Sequence, residues 1–124
     1  MRMRLGFRLA FAVAAIAVIV GSLLPAGSLP PVGVSDAHQH LAAYAALAVL
    51  AWNAFPTRRS ALWLMLLLPL LGIALELAQM AVPGRTAEVS DAVAGGLGAY
   101  LVLIPMLLRC QRKAAVGAAD HAPS

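Results

Sequence analysis

The sequence predicts an all-α protein, a four-transmembrane-helix bundle with both termini in the cytoplasm. Three observations carry that expectation. The 124 residues are 62% hydrophobic and only 11% charged, against about 25% charged in a typical soluble domain. Four apolar stretches are separated by connectors bearing proline, glycine or charge. Eight of the nine lysines and arginines fall at alternate ends of those stretches, so a chain that zigzags through a bilayer collects them on one side.

The first stretch, Phe7 to Leu24, opens with Arg2, Arg4 and Arg8. A basic start before an apolar run also resembles a cleavable signal peptide over Met1 to about Gly27. This run exceeds the ~7 to 15 residues of a signal core, and Leu24-Pro25-Ala26-Gly27 offers no clear small-x-small cleavage site, so it reads as a span. The second, His40 to Phe55, is the shortest and needs flanking residues to cross. The third, Ala61 to Val82, follows Arg58 and Arg59, and Pro69 with Gly72 should kink it before Glu76. The fourth, Val89 to Leu108, carries Ala94, Gly95, Gly96, Gly98 and Ala99, among which Gly95 and Gly98 are read as helix-packing positions. Arg109, Arg112 and Lys113 close it. Residues 5–110 thus form one membrane domain and 111–124 a flexible cytoplasmic tail.

The net charge of +4 does not indicate nucleic-acid binding, because the basic residues sit beside apolar segments and no basic face carries interleaved aromatics. Topology explains them instead. The single cysteine, Cys110, has no disulfide or metal-ligating cysteine partner and is read as a packing residue.

The remaining polar chemistry gathers at the outer ends of the last three spans. Asp36, His38, His40 and Tyr44 open the second span, with His40 and Tyr44 four apart on one helix face. Glu76 and Gln79 lie on the third, and Arg85, Glu88 and Asp91 follow. A carboxylate in an apolar segment costs roughly 3 kcal/mol or more unless paired or facing water, so Glu76 is either a functional group or a structural partner of Arg85 or His40. Arg85 is the only basic residue on the outer side and reads either as a residue that snorkels at the interface or as an anion-binding or ion-pairing group. Asp91 follows Ser90 near a helix start, where capping suffices to explain it. Asp36, His40, Glu76 and Asp91 have the chemistry of zinc ligands, yet no spaced motif is present, so no metal and no cofactor are expected.

These same residues resemble the VanZ-like family of bacterial membrane proteins. Asp36-Ala37-His38-Gln39-His40 and Tyr44 are similar to that family's Asp-Lys-x-x-His-x-x-x-Tyr segment. Glu76-x-x-Gln79, Pro83-Gly84-Arg85, and Asp91 with Gly98 are similar to its Glu-x-x-Gln, Pro-x-Arg and Asp-x-x-x-Asn-x-x-Gly elements, in the same order over about Ser35 to Gly98. Ala37 and Gly95 depart from the family's usual Lys and Asn. The resemblance implies a multi-pass protein of the bacterial cytoplasmic membrane with Asp36, His40, Tyr44, Glu76, Gln79, Arg85 and Asp91 as its signature cluster. It also implies a connection to the cell envelope and, through the founding member, to resistance against the glycopeptide teicoplanin.

Three functions follow as expectations. The first is a binding protein whose outward polar cluster engages membrane lipid, a lipid-linked cell-wall precursor or a glycopeptide. The second is an intramembrane hydrolase or transferase using Glu76, His40 and Arg85. The third is a structural or assembly subunit, and a homo-oligomer is compatible with any of them.

Overall fold

The computed structural model describes residues 2–25, 27–28 and 33–119, which form four helices: α1 (Arg2–Leu23), α2 (Asp36–Ala54), α3 (Arg58–Gln79) and α4 (Val89–Ala119). Among them α1, α3 and α4 as far as Arg112 are long and apolar enough to cross a membrane. α2 is less apolar, because Asp36, His38, Gln39 and His40 fill its start. Its 19 residues nevertheless extend about 28 Å, close to the ~30 Å of a hydrocarbon core.

The first three helices begin earlier than their apolar runs, since polar residues are absorbed into first turns, while α4 begins with its run at Val89. Asp36 enters the first turn of α2, where a negative charge meets the positive end of the helix dipole. Thr57 caps α3, its hydroxyl accepting the Ser60 N–H at 3.1 Å, so Arg58 and Arg59 are helical rather than connector residues. α4 continues past the expected boundary at 110, which makes 111–119 of the expected tail helical backbone. Asp120 to Ser124 lie outside the described residues. α3 and α4 both run through their internal prolines, Pro69 and Pro105.

Successive helices alternate in direction. Arg8 stands 5.2 Å over the Phe55 ring and Phe11 meets that ring edge-on at 6.4 Å, so the start of α1 lies beside the end of α2. α2 and α3 occupy the middle of the bundle, and α1 and α4 flank it without touching among the described residues. The core is built from Tyr44, Leu47, Ala48 and Ala51 of α2, Leu64 and Leu68 of α3, and Ala99 and Leu103 of α4. Alanine and glycine dominate the α2–α4 seam, which lets the two backbones approach.

The outer surface is the inverse of a soluble protein's. α1 has no buried residue and exposes Leu9, Val13, Ile16 and Val20. α4 exposes Val93, Leu97, Leu101, Ile104 and Leu108, a stripe at three- and four-residue spacing. Exposed apolar stripes of this extent are what a lipid-facing surface requires.

Candidate functional site

The polar end of the bundle collects the last turns of α1 and α3 and the first turns of α2 and α4. Its framework begins with the Val82-Pro83-Gly84-Arg85 turn, in which the Arg85 N–H reaches the Val82 carbonyl at 3.1 Å. Proline at the second position and Gly84 at φ +75° in the third are what a type II turn requires. The turn delivers Arg85 to the end of α1. There its Nε donates to the Leu24 carbonyl at 3.1 Å and its terminal nitrogen to the Gly21 carbonyl at 3.2 Å. Gln79 donates to the Ser22 carbonyl at 3.0 Å. These carbonyls belong to a helix terminus that lacks intrahelical donors, so Arg85 and Gln79 finish α1 from outside, and the guanidinium sits at the negative end of its dipole. The remaining Arg85 nitrogen lies 3.9 Å from Asp36 Oδ2.

A second group forms across α2, α3 and α4. His40 Nε2 lies 3.6 Å from Glu76 Oε1, and His40 Nδ1 lies 3.7 Å from Asp91 Oδ2. Both carboxylates are buried, with 6% of Glu76 and 5% of Asp91 exposed. Glu76 Oε2 accepts the Glu88 N–H at 2.8 Å, one of the free amides ahead of α4, whereas Glu76 Oε1 is buried without a hydrogen-bond partner. One ligand atom from each of His40, Glu76 and Asp91 lies within 4.8 Å of the other two. Tyr44, one turn below, stacks against the His40 ring at 6.3 Å, and its buried hydroxyl is also unpartnered.

Two cavities flank these groups. One of about 170 Å³ lies between α1 and α2 and is bounded by Gly21, Ser22, Asp36, Gln39, His40, Gln79 and Arg85, with Ala17, Val18 and Ala43 supplying an apolar wall. The other, of about 110 Å³, is more polar and is bounded by Asp36, Gln79, Thr86, Glu88 and Asp91.

The residues singled out in the sequence therefore separate into two constellations. Asp36, Gln79 and Arg85 serve the end of α1, and His40, Glu76, Asp91 and Tyr44 meet in the middle of the bundle. Glu76 takes His40 rather than Arg85 as its side-chain neighbour. Ser90 and Asp91 lie inside the first turn of α4, and Asp91 faces His40 instead of acting simply as a cap. Gly95 and Gly98 both pack on α2, against the Tyr44 ring and the Leu41 backbone. His38 is exposed and bonds Ser35 Oγ at 2.6 Å, apart from the cluster.

Several participants carry no sequence signal. Gly21, Ser22 and Leu24 act through backbone carbonyls and Glu88 through its amide, which any residue type could supply. Gly72 admits the Tyr44 hydroxyl, and only the fold reveals that pairing. No known protein family, curated protein or solved structure matches the chain.

Proposed function

We propose that this chain is a VanZ-like, multi-pass protein of the bacterial cytoplasmic membrane that holds the polar headgroup of an envelope lipid or lipid-linked cell-wall precursor at its outer end. It spans four times, with both termini in the cytoplasm. The sidedness draws support from Arg2, Arg4, Arg8, Arg58, Arg59, Arg109 and Arg112, all at the bundle end opposite the carboxylates. α2 completes the four spans because its polar start belongs at headgroup depth.

The observation that carries the binding reading is the cavity of about 170 Å³ between α1 and α2. It combines donors and acceptors from Arg85, Gln39, Gln79, His40 and Asp36 with an apolar wall from α1, whose outer face suits lipid chains. Its volume is below the ~300 to 1,000 Å³ of drug-sized sites, which favours a headgroup over an intact glycopeptide. Glycopeptide tolerance would then follow from holding the precursor that the antibiotic recognises.

Gly21 provides the test. Gly21 bounds the cavity and a Cβ there meets nothing within 4 Å, so Gly21→Leu adds a bulky side chain at the cavity wall while leaving the backbone carbonyl that Arg85 uses. Detergent-purified protein should melt later with phosphatidylethanolamine, phosphatidylglycerol or lipid-linked precursor, and Gly21→Leu should abolish that shift without changing the unliganded melt. Equal shifts in both proteins would reject the cavity as the site.

A second reading, an intramembrane hydrolase or transferase, is favoured by the unpartnered Glu76 Oε1 facing His40 Nε2. In that mechanism Glu76 or His40 takes a proton from water or substrate. Full turnover in both Glu76→Gln and His40→Ala would exclude it.

A further inference from the structure

We infer that His40, Glu76 and Asp91 form a binding site for one divalent transition-metal ion, zinc being the best match, on three different helices. His40 Nδ1 lies 3.0 Å from the carbonyl oxygen of Asp36, which can only accept, so Nδ1 carries the proton and donates. Nε2 of the neutral ring is then a bare lone pair, and it faces Glu76 Oε1 at 3.6 Å. That oxygen is itself an acceptor, buried and without a partner. A bare lone pair turned toward a buried, unpartnered carboxylate oxygen offers two ligand atoms to one cation.

A proton fits poorly between them. At 3.6 Å and 3.7 Å the contacts from His40 to Glu76 and Asp91 are too long for charge-assisted hydrogen bonds, which close to about 2.7–2.9 Å. The contact from Nε2 to Glu76 suits a metal better, whereas Nδ1, which faces Asp91, carries a proton and is not a ligand atom. Zinc binds nitrogen and oxygen at about 2.0–2.2 Å in a tetrahedron, which sets its ligand atoms about 3.4 Å apart. The His40 Nε2–Glu76 separation is already near that value, and Asp91, whose carboxylate lies 3.7 Å from Nδ1 of the same ring, completes the set by a side-chain rotation toward Nε2.

Local charge points the same way. Asp36, Glu76, Glu88 and Asp91 share this end with one guanidinium, that of Arg85, which is turned to the end of α1. The ligands are also braced from behind, His40 by the Asp36 carbonyl and Glu76 by the Glu88 amide, as outer-shell hydrogen bonds brace metal ligands generally. One imidazole with two carboxylates selects a first-row transition ion over magnesium or calcium, which take all-oxygen sets. Three protein ligands leave a fourth position for water or an anionic oxygen.

His40 also bounds the headgroup cavity, but no ligand of the metal site comes from α1, so Gly21→Leu should leave metal binding intact even where it abolishes the lipid-induced shift. The test is titration of chelator-stripped, detergent-purified full-length protein with Zn²⁺ by calorimetry, and with Co²⁺ by visible absorption, which reports ligand geometry. The wild type should take up one equivalent, with the intense bands of a four-coordinate cobalt site. Changing an outer-shell partner costs 10–100-fold in affinity, so removing a ligand in His40→Gln, Glu76→Gln or Asp91→Asn should cost more than about 100-fold. Cys110→Ser and His38→Gln, which remove other donors, should bind as the wild type does. No uptake by the wild type, or uptake equal in His40→Gln and Asp91→Asn, would overturn the proposal. The wild-type titration decides by itself if the Glu76→Gln protein does not fold.

Discussion

Gly98 of α4 lies directly against the peptide carbonyl of Leu41 in α2, so near that a Cβ at Gly98 would fall onto that oxygen. The contact fixes the height at which the two helices cross. Asp91 sits two turns before Gly98 on the same face, and His40 immediately precedes Leu41, so the crossing brings Asp91 beside His40. A packing glycine thus sets the geometry of the polar cluster.

Gly98→Ala should therefore destabilise the bundle by about 3 kcal/mol, the upper end of overpacking costs, because a backbone group cannot rotate out of the way. Gly96→Ala provides the comparison. Its added Cβ meets only Pro69 at 3.8 Å, an ordinary contact, and should change stability by less than about 1 kcal/mol. Thermal melting of the two purified proteins separates them, and equal melting would show that the helices do not cross at Gly98.

Tyr44 fills a slot between Gly72 and Gly95, with its hydroxyl buried and unpaired. Burying an unsatisfied hydroxyl costs about 1–3 kcal/mol, so Tyr44→Phe should be neutral or stabilising. Tyr44→Ala should lose about 3–5 kcal/mol to the cavity it leaves. A Tyr44→Phe protein that melts well below the wild type would show that the hydroxyl is hydrogen-bonded.

Arg85 ties the end of α1 to the rest of the bundle through two backbone carbonyls. Arg85→Met should cost about 1.5–3 kcal/mol, the range for hydrogen bonds to charged groups. The loss should be local. Hydrogen exchange should accelerate over the last turn of α1 while α2–α4 keep their protection, and unchanged exchange there would contradict the anchoring role.

Membrane sidedness can be read with an impermeant thiol reagent on whole cells. Thr86→Cys, exposed at the polar end, should label from outside in a Cys110→Ser background. Cys110 of the wild type should label only after the membrane is opened. The reverse pattern would invert the proposed orientation.

Helix content and lipid-facing character were legible because hydropathy and basic-residue placement act on whole segments, and they survive errors of a few residues. Boundaries are less legible: the apolar runs of the second and third stretches start only at His40 and Ala61, yet caps and helix dipoles draw Asp36, Arg58 and Arg59 into first turns. The membership of the polar set was visible as residue types unusual in an apolar chain. Its partition was not, since Glu76 is nine residues from Arg85 and thirty-six from His40 and nonetheless faces His40.

By itself, then, the sequence determined a helical, largely apolar chain with four of its five carboxylates toward one end and eight of its nine basic residues toward the other, because periodicity, length and charge bias are properties of segments. Only the tertiary structure decided which polar groups face one another. That choice depends on helix rotation and crossing height, which are set by contacts such as Gly98 on Leu41 and Tyr44 between Gly72 and Gly95. Sequence spacing does not encode a distance between side chains on different helices.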